Sequence, residues 1–276
     1  MTTDTAVVIS IDSAYVRPAC TMLRSLAANT TLDRVAVRVV HNDLDEQAID
    51  TLRQQRPDVL TIEPVEVEGP DLTVDARSHI SDATYRKLAA ARACREFERL
   101  LIIDVDLVVL GDIRELYDVD LGGKTLAAVQ DAFNPWLTSP FAFPASAGAE
   151  EKYAGLPYFN SGVMVVDVQK WISSRTDERA AEFARDPARV KIWEQDALNG
   201  VLIGEWTALD PRWNCFPISE LARHDRVRNM LATHGMGLRE LRAREAQAKI
   251  LHFVGRDKPW LDTYPESPNK KLYSSF

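Results

Sequence analysis

Ten residues, LIIDVDLVVL at 101–110, set the strongest condition on what this chain can fold into. With Leu100, the positions before Asp104 are all Leu or Ile, the composition of a strand buried on both faces. Such strands belong to sheets covered by helices on both sides. Two carboxylates cannot sit inside that core, because each loses its hydration and the two repel. The strand therefore emerges at Asp104-Val-Asp106, and in an open α/β sheet ligands bind outside the carboxyl ends of the strands. Residues two apart on extended chain share one face. A divalent cation with a preference for hard oxygen ligands, Mg²⁺ or Mn²⁺, removes both costs. The alternative is a pair of solvated loop acids that happen to follow a strand.

The rest of the chain supplies the layers that this strand needs. TAVVISI, VAVRVV and VLTIEPVEV read as strands. Between them, Tyr15 to Ala28 carries Val16, Cys20, Leu23, Leu26 and Ala27 at helical spacing, and DEQAIDTLRQQ starts with acids, as helix N-termini prefer. Pro64 assigns the third strand to an edge or a bulge. Strands alternating with helices predict a parallel sheet with right-handed crossovers. ATYRKLAAARACREF reads as one Ala-rich helix leading into LLIIDVD. LAAVQD and YFNSGVMVVDV are further strands, separated by a long surface loop, DAFNPWLTSPFAFPASAGAE, of the kind that is usually functional. Trp136, Phe141 and Phe143 in it either line a site or pack the loop down. EQDALNGVL and LRELRAREAQ read as short helices, and KILHFVG as the last strand. With no repeat and no linker, residues 1–276 read as a single α/β domain, Rossmann-like, around a mixed but mainly parallel sheet.

Charge and composition exclude several classes. A net charge of −8 argues against nucleic acid as a partner, since neutralising phosphates needs a Lys/Arg surplus. No apolar run reaches the length of a transmembrane helix, and MTTDTAVVIS is not the start of a signal peptide. Cys20, Cys94 and Cys215 are far apart and odd in number, which fits a reducing cytoplasm rather than a disulfide framework or a zinc site.

IDSAY, SHISDATYRK, LLIIDVDLVVLGDI, YFNSGVMVVDV, EQDALNGVL, DPRWNCF and ILHFVGRDKPW follow one another in this order. Together, from about Ala6 to Trp260, they resemble the retaining glycosyltransferases of family 8, the group that includes glycogenin and the bacterial lipopolysaccharide galactosyl- and glucosyltransferases. The resemblance implies a GT-A fold, a UDP-sugar donor, Mn²⁺ (with Mg²⁺ the alternative) and retention at the anomeric carbon. On it, Asp104 and Asp106 match the metal-binding DxD pair and His252 the third ligand. Mn²⁺ accepts nitrogen beside oxygen. Outside the resemblance, His252 reads as a satisfied core histidine. Gly255 would let backbone approach the donor diphosphate, and Lys258 would bring a cation to it.

Asp12 and Tyr15 match the uracil contact, with Ser10 beside them. A carboxylate accepts from uracil N3–H and a Tyr ring stacks on the base. Asp12 also suits a helix cap. Arg86 matches an arginine reaching the donor phosphates; by itself it reads as a solvated helix residue. Asn160 and Ser161 match the donor-sugar pocket. His79 and Asp131 fall on the acceptor side. Glu194 stands where the family usually has Asp, one methylene shorter, at the position that meets donor-sugar hydroxyls. Gln195 matches the residue nearest the reacting face, and an amide is a poor nucleophile, so front-side attack is the expected route. Asp196 reads equally as a helix N-cap.

The expected activity is hexose transfer from UDP-glucose or UDP-galactose to a glycan or small-molecule acceptor. A sugar-nucleotide-forming nucleotidyltransferase and a non-catalytic UDP-sugar-binding protein are the alternatives. The first usually carries a Gly- and Arg-rich loop after its first strand, where this chain has ISIDSAYVRP. The end of the chain, PESPNKKLYSSF, has some Lys and aromatic character, so peripheral membrane contact stays open beside a cytoplasmic location.

Overall fold

The computed structural model describes residues 4–68, 83–139, 142, 150–233 and 237–276. The first apolar run forms β1, Thr5–Ser10. It is followed in the chain by β2, Val35–His41, and β3, Leu60–Glu66. These strands are parallel, with β2 between the other two. β4, Arg99–Ile103, lies parallel on the other side of β1. β5, Leu107–Val109, leaves the sheet just after the two aspartates. β6, Leu126–Gln130, and β7, Phe159–Asp167, extend the sheet, and β8, Trp206–Ala208, closes its far edge. The order is β3-β2-β1-β4-β7-β6-β8, and β7 alone runs against its neighbours. β9, Ile250–His252, pairs antiparallel with β5 as a separate two-stranded sheet. Pro64 sits on the edge strand β3, where its missing N–H costs no ladder bond.

Alternation along the strands divides two apolar layers. Val7 and Ile9 of β1, Leu101 and Ile103 of β4, and Val163 and Val165 of β7 share one cluster with Met22, Leu23, Leu26, Ile49 and Leu52. Those last five lie on the helices Val16–Asn29 and Glu46–Arg53. Ala6, Val8, Leu100, Ile102, Met164 and Val166 pack the other face with Leu88, Trp171, Phe183 and Leu198. Each fully buried large aliphatic side chain contributes about 1.5–3 kcal/mol relative to exposure.

This topology gathers one end of several strands. β1 and β4 are parallel, so Ser10 and Asp104 come to the same edge. β7 is antiparallel to β4, so its start, Phe159-Asn160-Ser161, arrives there too. β6 runs against β7 and delivers Asp131 at its end.

Three expectations change. The helix expected over ATYRKLAAARACREF is broken into Ala83–Arg86, a tighter 3₁₀ turn at Lys87–Ala89, and Ala90–Ala93. Ala-rich propensity is a weak prior, and the interruption falls where Lys87 is drawn into the interior while Leu88, Ala90 and Ala91 stay in the core. The loop after β6 is not simply superficial: Asn134, Leu137 and Ser139 are buried, and backbone bonds join Leu137 N to Leu156 O (2.9 Å) and Tyr158 N to Pro135 O (3.0 Å). Phe141 and Phe143 lie outside the described residues. The chain end folds back as the helix Pro268–Ser274, with Tyr273 buried against Phe253 and Trp260 at centroid distances of 5.5 and 5.6 Å. Arg24 Nε donates to the Phe276 carbonyl. Its Tyr273 ring is thus part of the fold's packing.

Leu101 is fully buried at the centre of β4. Leu101→Ala is expected to cost about 2–5 kcal/mol, read as a lower urea midpoint at unchanged slope.

Candidate functional site

The gathered strand ends form the floor of a cavity of about 790 Å³. Its walls run in a row that follows the contacts between side chains. Tyr15 meets Trp260 edge to face, with ring centroids 6.1 Å apart. Next come Asp106, Asp104 and His252, then Lys87 and Glu194, then Ser161, Gln195, Asn160 and Asp131.

Backbone pairing fixes the acidic pair. Asp104 N donates to Gly162 O (2.9 Å), and Phe253 N donates to Asp106 O (2.8 Å). Leu107 faces His252 in the β5–β9 register, which brings the imidazole to the carboxylates. His252 Nε2 lies 3.1 Å from Asp106 Oδ1 and 3.9 Å from Asp104 Oδ2. One donor atom from each of the three residues lies within 4.8 Å of the others. Gly162 is needed here: a Cβ on it would stand 2.4 Å from His252 Cε1.

Cations from distant segments neutralise the pair. Lys258 Nζ bonds to Asp106 Oδ2 (2.5 Å) and to Phe253 O (2.7 Å). Lys87 Nζ bonds to Asp104 Oδ1 (2.7 Å) and Glu194 Oε1 (3.0 Å). Burial alone would raise the Asp106 carboxyl, but Lys258 and His252 hold it well below the usual carboxylate range. Burial disfavours charge on Lys87, yet Asp104 and Glu194 more than offset it and its pKa is raised. Glu194 is raised by burial, with Lys87 acting against that.

Beyond Lys87 the wall is a network of directed hydrogen bonds. Ser161 Oγ donates to Glu194 Oε1 (2.9 Å) and Ser161 N to Gln195 Oε1 (3.0 Å). Gln195 Nε2 reaches Asp131 Oδ2 (3.3 Å) and Tyr158 OH (3.2 Å). Asp131 is held by the amides of Phe133 (2.8 Å) and Asn134 (2.7 Å) and accepts from Asn160 Nδ2 (2.9 Å).

Among the residues singled out in the sequence, Ser10, Tyr15, Asp104, Asp106, Asp131, Asn160, Ser161, Glu194, Gln195, His252, Gly255 and Lys258 line this cavity. Gly255 has φ +91°, a conformation that side chains strain to adopt. Asp12 and Arg86 are not among the lining residues. Asp12 caps the turn at Ser13–Tyr15 by accepting from Ala14 N (3.1 Å), the second of the two roles its chemistry allows. Arg86 is buried at 2% exposure and its charge acts on His41; the cation facing the cavity is its neighbour Lys87. The signal for this was helical phase: Thr84 and Lys87, three apart, both line the cavity. Asp196 is not an N-cap, because its helix is Trp193–Val201. It reaches back to the amides of Lys191 (2.5 Å) and Ile192 (2.7 Å) and accepts from Tyr158 OH (2.6 Å). His79 lies outside the described residues.

A metal ion fits this donor set. Two carboxylates and one imidazole nitrogen converge from fixed backbone, a mixed oxygen and nitrogen set of the kind that divalent cations accept.

Residues 6–264 match the family described as glycosyl transferase family 8. The chain belongs to this family. The galactosyltransferase LgtC, solved in complex with donor and acceptor sugar analogues, shares the GT-A fold with a TM-score of 0.75 at 22% identity, over 98% of this chain and 94% of that one. General stress protein A of Bacillus subtilis is 28% identical over 194 residues, which are 66% of this chain and 60% of that protein. The lipopolysaccharide 1,3-galactosyltransferase of Salmonella typhimurium is 22% identical over 220 residues, 78% of this chain and 60% of that protein. The family member described here therefore spans about 60% of the length of these two relatives.

Replacing Lys87 with Met leaves the buried Glu194 and the half-buried Asp104 without their shared cation. The expected loss is about 3–5 kcal/mol at neutral pH. Glu194 already has a raised folded pKa, so the folded state holds its proton more tightly than the unfolded chain, where glutamate titrates near about 4.3. Loss of Lys87 removes what opposes that rise, so Glu194 takes up its proton at still higher pH in the variant, and the variant's deficit should shrink as pH falls from neutral into the acid range, measured by urea unfolding across pH.

Proposed function

We propose that this chain is a Mn²⁺-dependent, retaining hexosyltransferase that moves a hexose from a UDP-sugar to an acceptor hydroxyl. UDP-glucose and UDP-galactose are the donors we favour. The observation that carries the reading is the row of groups along one cavity: an aromatic pair, a metal-type triad, and a polar pocket ending in Gln195 and Asp131. That row matches a nucleoside diphosphate sugar read from base to sugar. Tyr15 and Trp260 would flank the uracil. Asp104, Asp106 and His252 would hold the ion, which when bound neutralises the diphosphate. Glu194, Ser161 and Asn160 would meet sugar hydroxyls.

The chemistry follows from Gln195. Its amide oxygen is engaged by the Ser161 amide and its nitrogen faces Asp131 and Tyr158, so it is oriented and not basic. A covalent glycosyl intermediate on it is disfavoured. The acceptor oxygen instead bonds to the anomeric carbon on the face from which the diphosphate oxygen departs. The acceptor proton passes to that leaving oxygen. Lys258, released from Asp106, would pair with the developing phosphate charge. The acceptor would be a soluble glycan or a small molecule, approached from the Asp131 side. The three cysteines are buried and unpaired, which supports a reducing, cytoplasmic setting. Among the described residues, no helix is long and apolar enough to cross a membrane.

The deciding experiment is thermal unfolding with UDP, with GDP and with neither, each in Mn²⁺ and in chelator. UDP at a hundred times its dissociation constant adds about 2.7 kcal/mol, which is roughly 5–10 °C for a chain of this size. A shift with UDP that needs Mn²⁺ is expected, and its absence in every condition sinks the reading. Gln195→Ala should keep that shift while turnover of the UDP-hexose falls by roughly a hundredfold or more.

A further inference from the structure

The His252 imidazole can face a metal ion only if the nitrogen pointing at Asp104 and Asp106 carries a lone pair. What sets this lies behind the ring. His252 Nδ1 is 2.9 Å from Asn214 Oδ1. Asn214 Nδ2 in turn donates to Asn160 Oδ1 (2.8 Å), and Asn160 Nδ2 donates to Asp131 Oδ2 (2.9 Å). Each amide has one oxygen and one nitrogen end, so the direction of such a chain is decided by its anchors. Both anchors agree. The Gly162 N–H, 2.9 Å from Asn160 Oδ1, can only donate, and at the other end Asn160 Nδ2 meets the Asp131 carboxyl, itself an acceptor of the Phe133 and Asn134 amides. Asn160 is therefore fixed, Asn214 must present its oxygen to the ring, and His252 must carry a proton on Nδ1. All four side chains are buried and each link is a direct contact.

We propose that Asn214 is a positioning residue: through this oriented chain it holds His252 in the tautomer whose Nε2 is available as a metal ligand. The backbone makes the contact obligatory. Cys215 N bonds to Ile250 O (3.0 Å) and His252 N to Cys215 O (2.7 Å), so Asn214, at the end of the turn Pro211–Asn214, is carried alongside the ring. It also follows that Asp131, expected on the acceptor side, orients both Gln195 and, two amides away, His252. The inference rests on the metal reading given above.

The test compares Asn214→Leu with Asn214→Asp. Leu matches the volume without an acceptor; Asp keeps an acceptor at Nδ1 but places it against Asn160 Oδ1. Mn²⁺ affinity is read by the electron paramagnetic resonance of free Mn²⁺, with UDP present, alongside thermal midpoints. The expected result is a 10–100-fold weaker site in Asn214→Leu and an affinity within about threefold of wild type in Asn214→Asp. A merely structural role predicts the reverse order, since Asp buries a new charge and Leu does not. Unchanged affinity in Asn214→Leu, or equal weakening in both variants, would overturn the proposal. Absence of Mn²⁺ binding by the wild type would overturn the metal reading and the relay with it. Independently of any variant at 214, long-range ¹⁵N–¹H correlation spectra of the wild type with Mg²⁺ and UDP should place the His252 proton on Nδ1, assigned against His252→Asn. A proton on Nε2 overturns the relay.

Discussion

The fold is organised around a cost: two carboxylates held side by side at the mouth of a buried strand. Left alone, each would carry a desolvation penalty of several kcal/mol and repel the other. Asp104 and Asp106 are answered by three segments far from them in sequence. Lys87 comes from a broken helix, His252 from the short β5–β9 sheet, and Lys258 from the chain that follows it. Apolar neighbours anchor two of these segments, Leu88, Ala90 and Ala91 beside Lys87 and Leu251 and Phe253 beside His252, so packing carries the cations to the strand end. The same arrangement leaves the site electrostatically poised. Each carboxylate of the pair has a cationic or imidazole partner at hydrogen-bond or ion-pair distance.

Behind the charges lies a second ordering principle, the polarity of hydrogen bonds. Backbone amides at Phe133, Asn134, Gly162 and Ser161 donate, and the Asp131 carboxylate accepts. Between these fixed ends the side chains of Asn160, Asn214 and Gln195 have one consistent orientation. Such a network is rigid because any flipped amide opposes two like groups in a low-dielectric interior. Pre-orientation of this kind is what glycosyl transfer needs, since positioning and electrostatics carry much of such a reaction.

Parts of this were legible in the sequence because they rest on local physics. The run LLII ending in DVD reads as a buried strand emerging at a sheet edge, with solvated loop acids as the alternative, and the ordered motifs point to His252, Asn160, Ser161, Glu194 and Gln195, which all line the cavity. Where the reading missed, the cause is specific. Arg86 and Lys87 are adjacent, both basic and both buried, and only the phase of a short, interrupted helix decides which one faces the cavity. Asp12 suited two compatible roles by its chemistry, and the structure shows the capping one. Asn214 sat inside a quoted motif without a role, because an amide's function lies in its two partners, and neither is near it in the chain.

The sequence by itself determined the layers, the strand whose end is acidic, and the set of residue types available to the site. It could do so because hydrophobic periodicity and the cost of burying charge act over a few residues. Tertiary structure alone decided which cation meets which carboxylate and which way each amide points. It also decided that the aromatic end of the chain packs against Phe253 and Trp260. Those outcomes depend on distances between segments separated by up to 252 residues, as between Arg24 and Phe276, and no local pattern encodes them.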